Sequence, residues 1–489
     1  MLDRAGVPNS RFAALAASVC CVTLILAACG APSQPGGGPS PSGAGSARAS
    51  TTTTPTAPTT TTAGTPLAAG WTTYQNSPEH TGEAAAQPPL SPLRPAWSAH
   101  LDGSAVYGQP LHYDGRVIVA TEDDHLFALD PATGNAVWSA TIGSPLRSVA
   151  KAAGCGDIDP LGVTSTPVID PATGTVYVLA EVSTGGRPPI EHRLVGVDIR
   201  TGRITLDVDA DPPLPAGEDP IHLLQRAALA LGNGRIYVGY GGQYGDCGTY
   251  HGWLVAVRPT SPATVESFDV TPGSTGGAVW DGGAGPVVGP DGSVYVNTGN
   301  PNSPAPAPWS EAVLRLAADL AGPPLAAFRD PAATDDLDLS TGGPVLLPGG
   351  TVFAAGKTET GYLLRASDLR LIGTIRGRVC GSDPDGGTAF DPASNDLYVP
   401  CRRGGIQQVL LSSRRTGWRS DAGNSTPVLA DGELWALDYV HSRLVGIDPS
   451  TGRVLETVAT GSPLPHFASL SITDGLLVVP TTSGVVAFR

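Results

Sequence analysis

Basic residues are scarce in this sequence, and so are long amphipathic stretches. The 489 residues include 29 Lys and Arg against 44 Asp and Glu, a formal net charge of −15, and no segment concentrates basic side chains. A strongly acidic chain without a basic cluster is a poor partner for a phosphate backbone, which argues against nucleic-acid binding. Apolar stripes with a 3.6-residue period are also rare, so we expect little α-helix.

Several catalytic motifs are missing as well. The sequence has no Gly-x-Ser-x-Gly nucleophile turn, no Gly-x-x-x-x-Gly-Lys-Ser/Thr phosphate loop, no His-Glu-x-x-His zinc motif and no Cys-x-x-Cys-His haem-attachment motif. The nine histidines are scattered. We interpret His125 and His441, which fall in loops, as exposed polar residues.

Tight turns are abundant, and they recur. The chain contains 63 Gly and 47 Pro, and a short unit of β-rich runs separated by turns is repeated eight times from about residue 105 onward. Asn-Gly and Asp-Gly between β-branched runs are strong hairpin signals, because both central residues of such turns need positive φ. The first turn of each unit lies at Asp114-Gly115, Asp170 to Gly174, Asn233-Gly234, Pro290 to Gly292, Pro348 to Gly350, Asp391 to Asn395, Asp431-Gly432 and Asp474-Gly475.

The repeat spacing of roughly 40 to 60 residues predicts an all-β, eight-bladed propeller of four-stranded antiparallel blades. Blade 2 shows the predicted strands most clearly, at Thr166 to Ile169, Val176 to Ala180, Leu194 to Asp198 and Ile204 to Val208. The last blade has only three strands before the chain stops. We expect residues 94–101 to supply its missing outer strand, because this pairing closes the ring and removes two exposed edges.

The first 28 residues have the pattern of a bacterial export signal. Arg4 and Arg11 precede an apolar stretch that is too short for a stable membrane span, and the stretch ends in Leu26-Ala27-Ala28-Cys29. This ending resembles a lipobox, in which the signal is removed and the cysteine carries lipid. The alternative is an ordinary signal peptide that happens to contain a cysteine. We expect a signal peptide over residues 1–28, lipidation of Cys29, and an extracytoplasmic protein anchored to the cell membrane.

Residues 29–68 are rich in Gly, Pro, Ser, Ala and Thr. Such a tract cannot bury enough apolar surface to offset its ordering entropy, so we interpret it as a disordered stalk ahead of a propeller over residues 69–489. Four cysteines remain after Cys29, and three disulfide pairings are open to them. We favour Cys155–Cys247 and Cys380–Cys401, because each pair occupies neighbouring loops on one predicted face. A zinc site is the alternative, but the cysteines lack zinc-ligand spacing.

The segment Ala128 to Trp138, which reads Ala-Leu-Asp-Pro-Ala-Thr-Gly-Asn-Ala-Val-Trp, resembles the tryptophan-docking repeat of the PQQ-type eight-bladed propellers. Trp71 to Gln75, followed by Thr81-Gly82, resembles the N-terminal segment of the same superfamily. The resemblance covers roughly residues 70–489. The superfamily includes quinoprotein alcohol dehydrogenases and an outer-membrane assembly lipoprotein that binds protein partners, so the fold alone does not give the function.

The resemblance to the dehydrogenases also implies site residues. Gly276 to Trp280, followed by Val294 to Pro301, resembles the segment that supplies a Trp floor under PQQ and an Asn ligand to Ca²⁺, which would be Trp280 and Asn300. Asp336 would then be the catalytic base, with Asp338 in reserve. Lys357 would be the basic residue that contacts the quinone.

One position departs from the dehydrogenase pattern. Gln243 stands where the dehydrogenases have a Ca²⁺-binding Glu, so this cofactor-binding position loses a carboxylate from a hard-cation site. The mature chain also lacks the adjacent Cys-Cys pair common above the cofactor. Two hypotheses follow. The first is a cell-envelope lipoprotein whose loop-rich face binds a ligand or protein with a degenerate quinoprotein site and no enzymatic role. The alternative is a dehydrogenase that uses PQQ and Ca²⁺ to oxidise an alcohol or sugar.

Overall fold

The structure is a computed structural model that describes residues 70–84, 87–302 and 307–489. The expected signal peptide over residues 1–28, the lipidation site at Cys29 and the stalk over residues 29–68 lie outside the described residues. Within the described residues, no helix is long and apolar enough to cross a membrane.

Eight antiparallel sheets form an eight-bladed propeller, which confirms the predicted fold class. The first strand of the chain is β1 (Pro95–His100). The strands of blades 1 to 4 follow, as β2 (Leu111–Tyr113), β3 (Arg116–Ala120), β4 (His125–Leu129), β5 (Ala136–Thr141), β6 (Val168–Asp170), β7 (Thr175–Ser183), β8 (Ile190–Asp198), β9 (Ile204–Asp209), β10 (Leu223–Leu224), β11 (Ala230–Gly232), β12 (Arg235–Gly242), β13 (Trp253–Arg258), β14 (Thr264–Asp269), β15 (Val287–Val288), β16 (Val294–Asn297), β17 (Ala312–Leu316) and β18 (Ala326–Arg329).

Blades 5 to 8 contain the remaining strands. These are β19 (Val345–Leu347), β20 (Thr351–Ala354), β21 (Tyr362–Arg365), β22 (Leu371–Thr374), β23 (Ala389–Asp391), β24 (Asp396–Cys401), β25 (Gly405–Leu410), β26 (Arg415–Ser420), β27 (Val428–Ala430), β28 (Glu433–Asp438), β29 (Arg443–Ile447), β30 (Val454–Ala459), β31 (Ser471–Thr473), β32 (Leu476–Thr481) and β33 (Gly484–Phe488). Within the described residues, helix is limited to α1 (Val149–Ala153) and three short 3₁₀ turns, Tyr74–Asn76, Pro220–His222 and Asp281–Gly283. In the same part of the chain, blade 3 alone carries an extra short strand, β10, which pairs with β12.

The ring closes as the sequence predicts. Strand β1 pairs antiparallel with β33, and the order β1–β33–β32–β31 completes blade 8 from both ends of the chain. Beyond the strands, the backbones of Arg94 and Arg489 exchange two hydrogen bonds, of 2.6 and 2.9 Å. The third strand of the last blade, β33, is therefore not left as an unpaired outer edge.

The hydrophobic core lies between neighbouring blades. One cluster packs blade 4 against blade 5 through Val287, Tyr295, Val313, Leu346, Val352 and Leu364, all of which are buried. The outer strands are different, since β9 and β30 alternate exposed and half-buried residues, as expected for strands with one face to solvent. The blades thus form a rigid ring whose inner strands are fully enclosed.

The two faces of the ring differ in their connections. The turns that join the first to the second strand and the third to the fourth strand of each blade define the turn face. The loops that join the second to the third strand, together with the links between blades, define the loop face. The longest connections lie on the loop face, for example residues 330–344 between β18 and β19, whereas β27 and β28 are joined by only Asp431 and Gly432 on the turn face.

Residues 70–84, here called the N-terminal segment, run along the turn face. The backbone of this segment bonds to the first strand of blades 1, 2, 4, 5, 6 and 7, through His112, Ile169, Val288, Leu346, Phe390 and Leu429. Within it, the Tyr74 hydroxyl lies 2.8 Å from the Thr426 hydroxyl, and both residues are buried. A single stretch of chain therefore connects six of the eight blades.

Three tryptophans of outer strands dock on the turn of the next blade. Trp97, Trp138 and Trp418 each donate the indole N–H to a turn carbonyl, of Pro131 at 3.0 Å, Ile199 at 2.9 Å and Pro449 at 3.0 Å. The rings lie on Gly134, Gly202 and Gly452, where a Cβ would come within 2.4 to 2.8 Å of an indole atom and φ is positive. Glycine is needed there on both counts.

Blades 3 and 4 meet the next blade through tyrosine instead. Tyr237 of β12 donates its hydroxyl to the Ala318 carbonyl at 2.7 Å, and Tyr295 of β16 donates to the Ala366 carbonyl at 3.0 Å. Both acceptors lie in the turn between the third and fourth strands of the following blade. The acceptor position is thus the same as in the tryptophan-docked blades, while the donor comes from the second strand rather than the fourth.

Candidate functional site

An ion pair joins two neighbouring loops of the loop face. The Lys357 ammonium lies 2.7 Å from Asp336 Oδ1 and 2.9 Å from Asp338 Oδ2. The Lys357 backbone N–H also donates to the Asp338 carbonyl at 2.8 Å, and this approach needs Gly356, where a Cβ would be 2.4 Å from that same carbonyl oxygen. The Asp336 side chain is 80% exposed, whereas that of Asp338 is 1% exposed.

Asn300 holds the same buried carboxylate from the loop of blade 4. Its backbone N–H donates to Asp338 Oδ1 at 2.8 Å. With the side-chain amide nitrogen turned toward Asp338, as the hydrogen bonding requires, Nδ2 lies 2.5 Å from Oδ1 and 3.0 Å from Oδ2. Asn300, Asp336, Asp338 and Lys357 are called the Asp338 cluster below. The structure thus brings together four residues that the sequence predicted separately.

The charge of Lys357 is fixed by this arrangement. Burial alone would lower the pKa of Lys357, but the charge of Asp338 and the hydrogen bonds that Lys357 donates to both carboxylates outweigh it and hold the pKa above its ordinary value. Nearby, burial and the charge of Asp338 raise the pKa of Glu311 to about 8, while the Leu339 N–H donates to its carboxylate at 3.3 Å. At neutral pH the cluster contains one cation and a neighbouring protonated acid.

A tyrosine–aspartate pair from blade 3 borders the cluster. Tyr250 donates its hydroxyl to Asp246 Oδ1 at 2.6 Å, and both lie in the loop between β12 and β13. Burial raises the pKa of Asp246, and the charges of Asp336 and Lys357 also act on it. Sequence analysis missed this pair. The sequence feature that could have indicated it is the position of Asp246 next to Cys247, in a loop predicted to be joined to its neighbour by a disulfide.

Trp280 lies against the wall of blade 3. Its indole N–H donates to the Gly242 carbonyl at 3.2 Å, and a Cβ on Gly241 would lie only 2.0 Å from Nε1. The Trp280 backbone N–H donates to Ser340 Oγ at 2.9 Å, two residues beyond Asp338 in the chain. Trp280 therefore links the loop of blade 3 to the loop that carries the Asp338 cluster.

Gln243 is part of the supporting structure of this region. Its side chain is buried and donates to the Leu223 carbonyl at 3.0 Å, while its own carbonyl accepts the Asp246 N–H at 2.9 Å. It is thus connected to the cluster through the turn that positions Asp246. The amide nitrogen is committed to the backbone, and a glutamine at this position offers no carboxylate to a cation.

Both favoured disulfides are present. Cys155 and Cys247 are bridged with a Cα separation of 5.9 Å, and Cys380 and Cys401 with 5.6 Å. The first bridge ties the link into blade 2 to the loop that carries Asp246. The two loop histidines lie apart from the site: His125 is half-buried near Asp102, and His441 is 60% exposed and paired with Asp438.

The donor set does not fit a divalent cation as it is folded. Lys357 occupies the space between Asp336 and Asp338, Asn300 turns an N–H group toward Asp338, and Gln243 replaces a carboxylate. Across residues 70–84, 87–302 and 307–489, no group of three His, Cys, Asp or Glu side chains has the geometry to hold a metal ion. The four residues of the Asp338 cluster are therefore close together, and their polar atoms already bond to one another.

Comparisons with known proteins agree with the fold. A family model described as outer membrane protein assembly factor BamB matches residues 93–208. No curated protein matches the sequence. Among solved structures, the chain is similar to a quinohemoprotein alcohol dehydrogenase from Comamonas testosteroni, with 15% identity, a TM-score of 0.67, and coverage of 86% of this chain and 80% of that one.

Two further solved structures are also similar to this chain in fold. A europium-containing methanol dehydrogenase has 14% identity and a TM-score of 0.65, covering 85% of this chain and 90% of that one. BamB from Moraxella catarrhalis has 12% identity and a TM-score of 0.55, covering 81% of this chain and 99% of that one. At these identities the likeness is one of fold. Together with the repeat match, it confirms the resemblance to the PQQ-type propellers.

Proposed function

We propose that this chain is a cell-envelope lipoprotein whose propeller binds a protein or small-molecule partner on the loop face, around a quinoprotein-like site that does not catalyse oxidation. The observation that carries the proposal is the Lys357 ammonium held between Asp336 and Asp338. It neutralises the acidic centre from within the chain. The exposed Asp336 carboxylate then remains available at the rim for a partner.

The two disulfides support a location in the cell envelope. Disulfides persist mainly in oxidising compartments, and both bridges join segments of the loop face. The expected lipid on Cys29 and the stalk over residues 29–68 would anchor the propeller to the membrane.

The partner-binding proposal is tested by neutralising one exposed charge on each face. Full-length protein in detergent, either wild type or Asp336→Asn, is cross-linked in envelope extract, and each captured protein is then purified and tested directly for binding. Asp431→Asn, on the turn face, is the matched control. We expect at least one purified partner that binds wild type and Asp431→Asn but binds Asp336→Asn at least fivefold more weakly. Equal binding to all three would contradict a role for this rim.

A PQQ- and Ca²⁺-dependent alcohol or sugar dehydrogenase is the second candidate. It is favoured by the direct contact of Asn300, Asp338 and Lys357, which are three of the residue types that the resemblance assigns to such a site. Calorimetry with PQQ, with and without Ca²⁺, combined with dye-linked oxidation assays, separates the two functions. Our proposal expects neither heat nor oxidation. Oxidation that is lost in Asp336→Asn or Asp338→Asn would establish the enzyme instead.

The reactivity of the lysines gives an independent test of the ion pair between Lys357 and the two carboxylates. The sequence contains only two lysines, Lys151 and Lys357. Lys151 is exposed in α1, whereas the Lys357 side chain is 19% exposed and paired with two carboxylates. Reductive methylation followed by mass spectrometry should modify Lys151 at least tenfold faster. Comparable rates for the two lysines would mean that the ion pair does not persist in solution.

A further inference from the structure

Arginines are concentrated where blades 5 and 6 meet. Residues 369–382 contain three arginines and residues 397–420 contain five, and neither stretch contains an Asp or a Glu. The chain as a whole has a formal net charge of −15, so this region opposes the overall charge. Sequence analysis missed it, because the arginines are dispersed along each stretch and the two stretches belong to different blades.

Three contacts join the two stretches. The residues that follow β22 lie beside the start of β26, where Arg376 pairs with Arg415 in a parallel bridge and donates its backbone N–H to the Arg414 carbonyl at 2.8 Å. The Cys380–Cys401 disulfide is the second contact. The Arg414 guanidinium makes the third, since it donates to the Ile372 carbonyl at 3.1 Å. The arginines of both blades therefore belong to one surface.

Four of these arginines are exposed around β22, and their side chains form no salt bridge among the described residues. Arg376 and Arg414 donate to backbone carbonyls. Asp368, one residue ahead of the first stretch, pairs with Arg365 instead. The four residues, called the arginine patch below, are Arg370, Arg376, Arg414 and Arg415. Since the two stretches contain no acid, the surface around the patch is positively charged.

Two exposed aliphatic side chains accompany the patch. Leu371 and Ile372 of β22 are 44% and 41% exposed, and they follow Arg370 directly in the chain. The outer strand of blade 7 provides a contrast, because Val454 and Leu455 of β30 are exposed to a similar degree but are followed by Glu456. Exposed aliphatic residues thus occur in both outer strands, whereas those of blade 5 are combined with uncompensated arginines.

We propose that the arginine patch, together with Leu371 and Ile372, docks the propeller on the surface of an anionic phospholipid bilayer. Guanidinium groups form paired hydrogen bonds to phosphate oxygens, and aliphatic side chains enter the boundary between headgroups and acyl chains. This contact requires neither the expected lipid on Cys29 nor a protein partner. It therefore goes beyond the proposed function and does not rest on it.

The exposed aliphatic residues favour a bilayer over a soluble polyanion. Both offer anionic groups to the arginines, but only a bilayer has an apolar layer directly behind them. At physiological ionic strength, charges interact over about 8 Å, so the acidic remainder of the chain does little to repel the membrane from this surface. The patch therefore determines which side of the propeller faces the membrane.

Hydrogen exchange of the full-length protein in vesicles tests the contact. Exchange in phosphatidylcholine vesicles is compared with exchange in vesicles of which about a third is phosphatidylglycerol. We expect exchange at residues 370–378 and 411–416 to slow at least fivefold in the anionic vesicles, and to recover when added salt screens the contact. Residues 454–459 are the internal control and should exchange equally in both. Attachment through the N-terminal residues would not protect the patch selectively.

Two sets of substitutions separate the patch from the net charge. Replacing all four patch arginines by Gln should abolish the slowing, whereas Lys at the same positions should preserve it. The matched control removes four exposed arginines of other blades and should leave the slowing unchanged; it combines Arg94→Gln, Arg187→Gln, Arg203→Gln and Arg443→Gln. If the fourfold Gln variant does not fold, Arg370→Gln with Arg415→Gln should still reduce the slowing at least twofold.

Three results would overturn the proposal. Equal slowing in neutral and anionic vesicles would leave an apolar contact without a role for the arginines. Slowing that survives the Gln substitutions, or that is absent from wild type in anionic vesicles, would exclude docking through the patch. Slowing caused by soluble inorganic polyphosphate but not by anionic vesicles would identify a polyanion as the partner. Because this experiment uses neither a captured protein nor PQQ, its failure is distinct from failure of the proposed function.

Discussion

Two sectors of the ring make the same contact between blades with different residues. In blades 8, 1 and 6 a tryptophan of the outer strand donates to a turn carbonyl of the next blade, whereas in blades 3 and 4 only a tyrosine of the second strand does so. Blade 6 has both donors, since Tyr398 of β24 donates to the same Pro449 carbonyl at 3.2 Å. What stays constant is the acceptor, a carbonyl in the turn between the third and fourth strands. The ring therefore requires the contact rather than the residue type, and the sector without a docked tryptophan is also the one that carries the Asp338 cluster.

The largest expected effect comes from opening the ring within the tryptophan-docked sector. Deletion of residues 485–489 removes most of β33, and with it the partner of both β1 and β32. We expect loss of cooperative unfolding or a Tm lower by more than about 10 °C, since both ends of the chain lose their anchor. Calorimetry measures this, with Arg489→Ala, which keeps the backbone hydrogen bonds to Arg94, as the control. An unchanged Tm would refute closure through β1.

The second test concerns the disulfide beside the Asp338 cluster. Replacing Cys155 and Cys247 by Ala removes a bridge that closes 92 residues of sequence separation, which should cost roughly 4.5 kcal/mol of unfolding free energy. Hydrogen exchange should rise at residues 243–251 and remain unchanged at residues 199–202, where Trp138 docks. The matched double variant at Cys380 and Cys401 should raise exchange around that bridge only. A uniform increase over both sectors would show that they are not independent.

The third test compares the two donors directly. Trp138→Ala removes a large ring and its hydrogen bond and should cost about 3 kcal/mol. Tyr295→Phe keeps the ring and loses only the hydroxyl, so about 1 kcal/mol is expected for leaving the Ala366 carbonyl without its donor. Urea unfolding at fixed pH measures both. Equal costs would mean that the tyrosine hydroxyl, and not ring packing, dominates the contact in blade 4.

The smallest effect is one of pH. Burial raises the pKa of Glu311 to about 8 in the site sector and that of Glu122 to about 8 in blade 1, against an ordinary value of 4.5. Each acid stays protonated in the fold while the unfolded chain ionises, so stability falls as pH rises from about 4.5 to about 8 and levels off above.

Glu311→Gln or Glu122→Gln should each flatten this decline, with a gain of about 2 °C in Tm at pH 8 and little change at pH 5. Thermal melts from pH 5 to 9 measure the profile. Asp431→Asn, with an exposed carboxyl, is the control. A variant profile parallel to that of wild type would show that the carboxyl is ionised in the fold.

Local turn chemistry explains why the blades could be predicted. The turns at Asp114-Gly115 and Asp170 to Gly174 separate the first two strands of blades 1 and 2, as expected from residues that tolerate positive φ. The strands of blade 2 and the pairing of β1 with β33 follow from the same repeat. The cysteine pairing followed because the repeat places each cysteine in a known loop.

Side-chain direction in the long loops could not be predicted in the same way. The pattern favoured Asp336 over Asp338, yet Asp336 is exposed, whereas Asp338 is buried and accepts hydrogen bonds from Asn300 and Lys357. Asp246 was missed because the charged groups around it, Asp336 and Lys357, come from other blades. No local spacing encodes such contacts, and whether these residues bind PQQ, Ca²⁺ or a partner stays a prediction.

The path of the N-terminal segment has a consequence for how the protein is made. Its bonds reach from blade 1 to blade 7, and the strand that follows it pairs with the last strand of the chain. Contacts this distant in sequence form slowly, because the intervening chain must first be ordered. Strand β1, which is synthesised early, can pair with β33 only after the last blade has been synthesised. A secreted chain that lacks only the last few residues should therefore be sensitive to proteases. The ring closes, and becomes resistant, only when those residues are present.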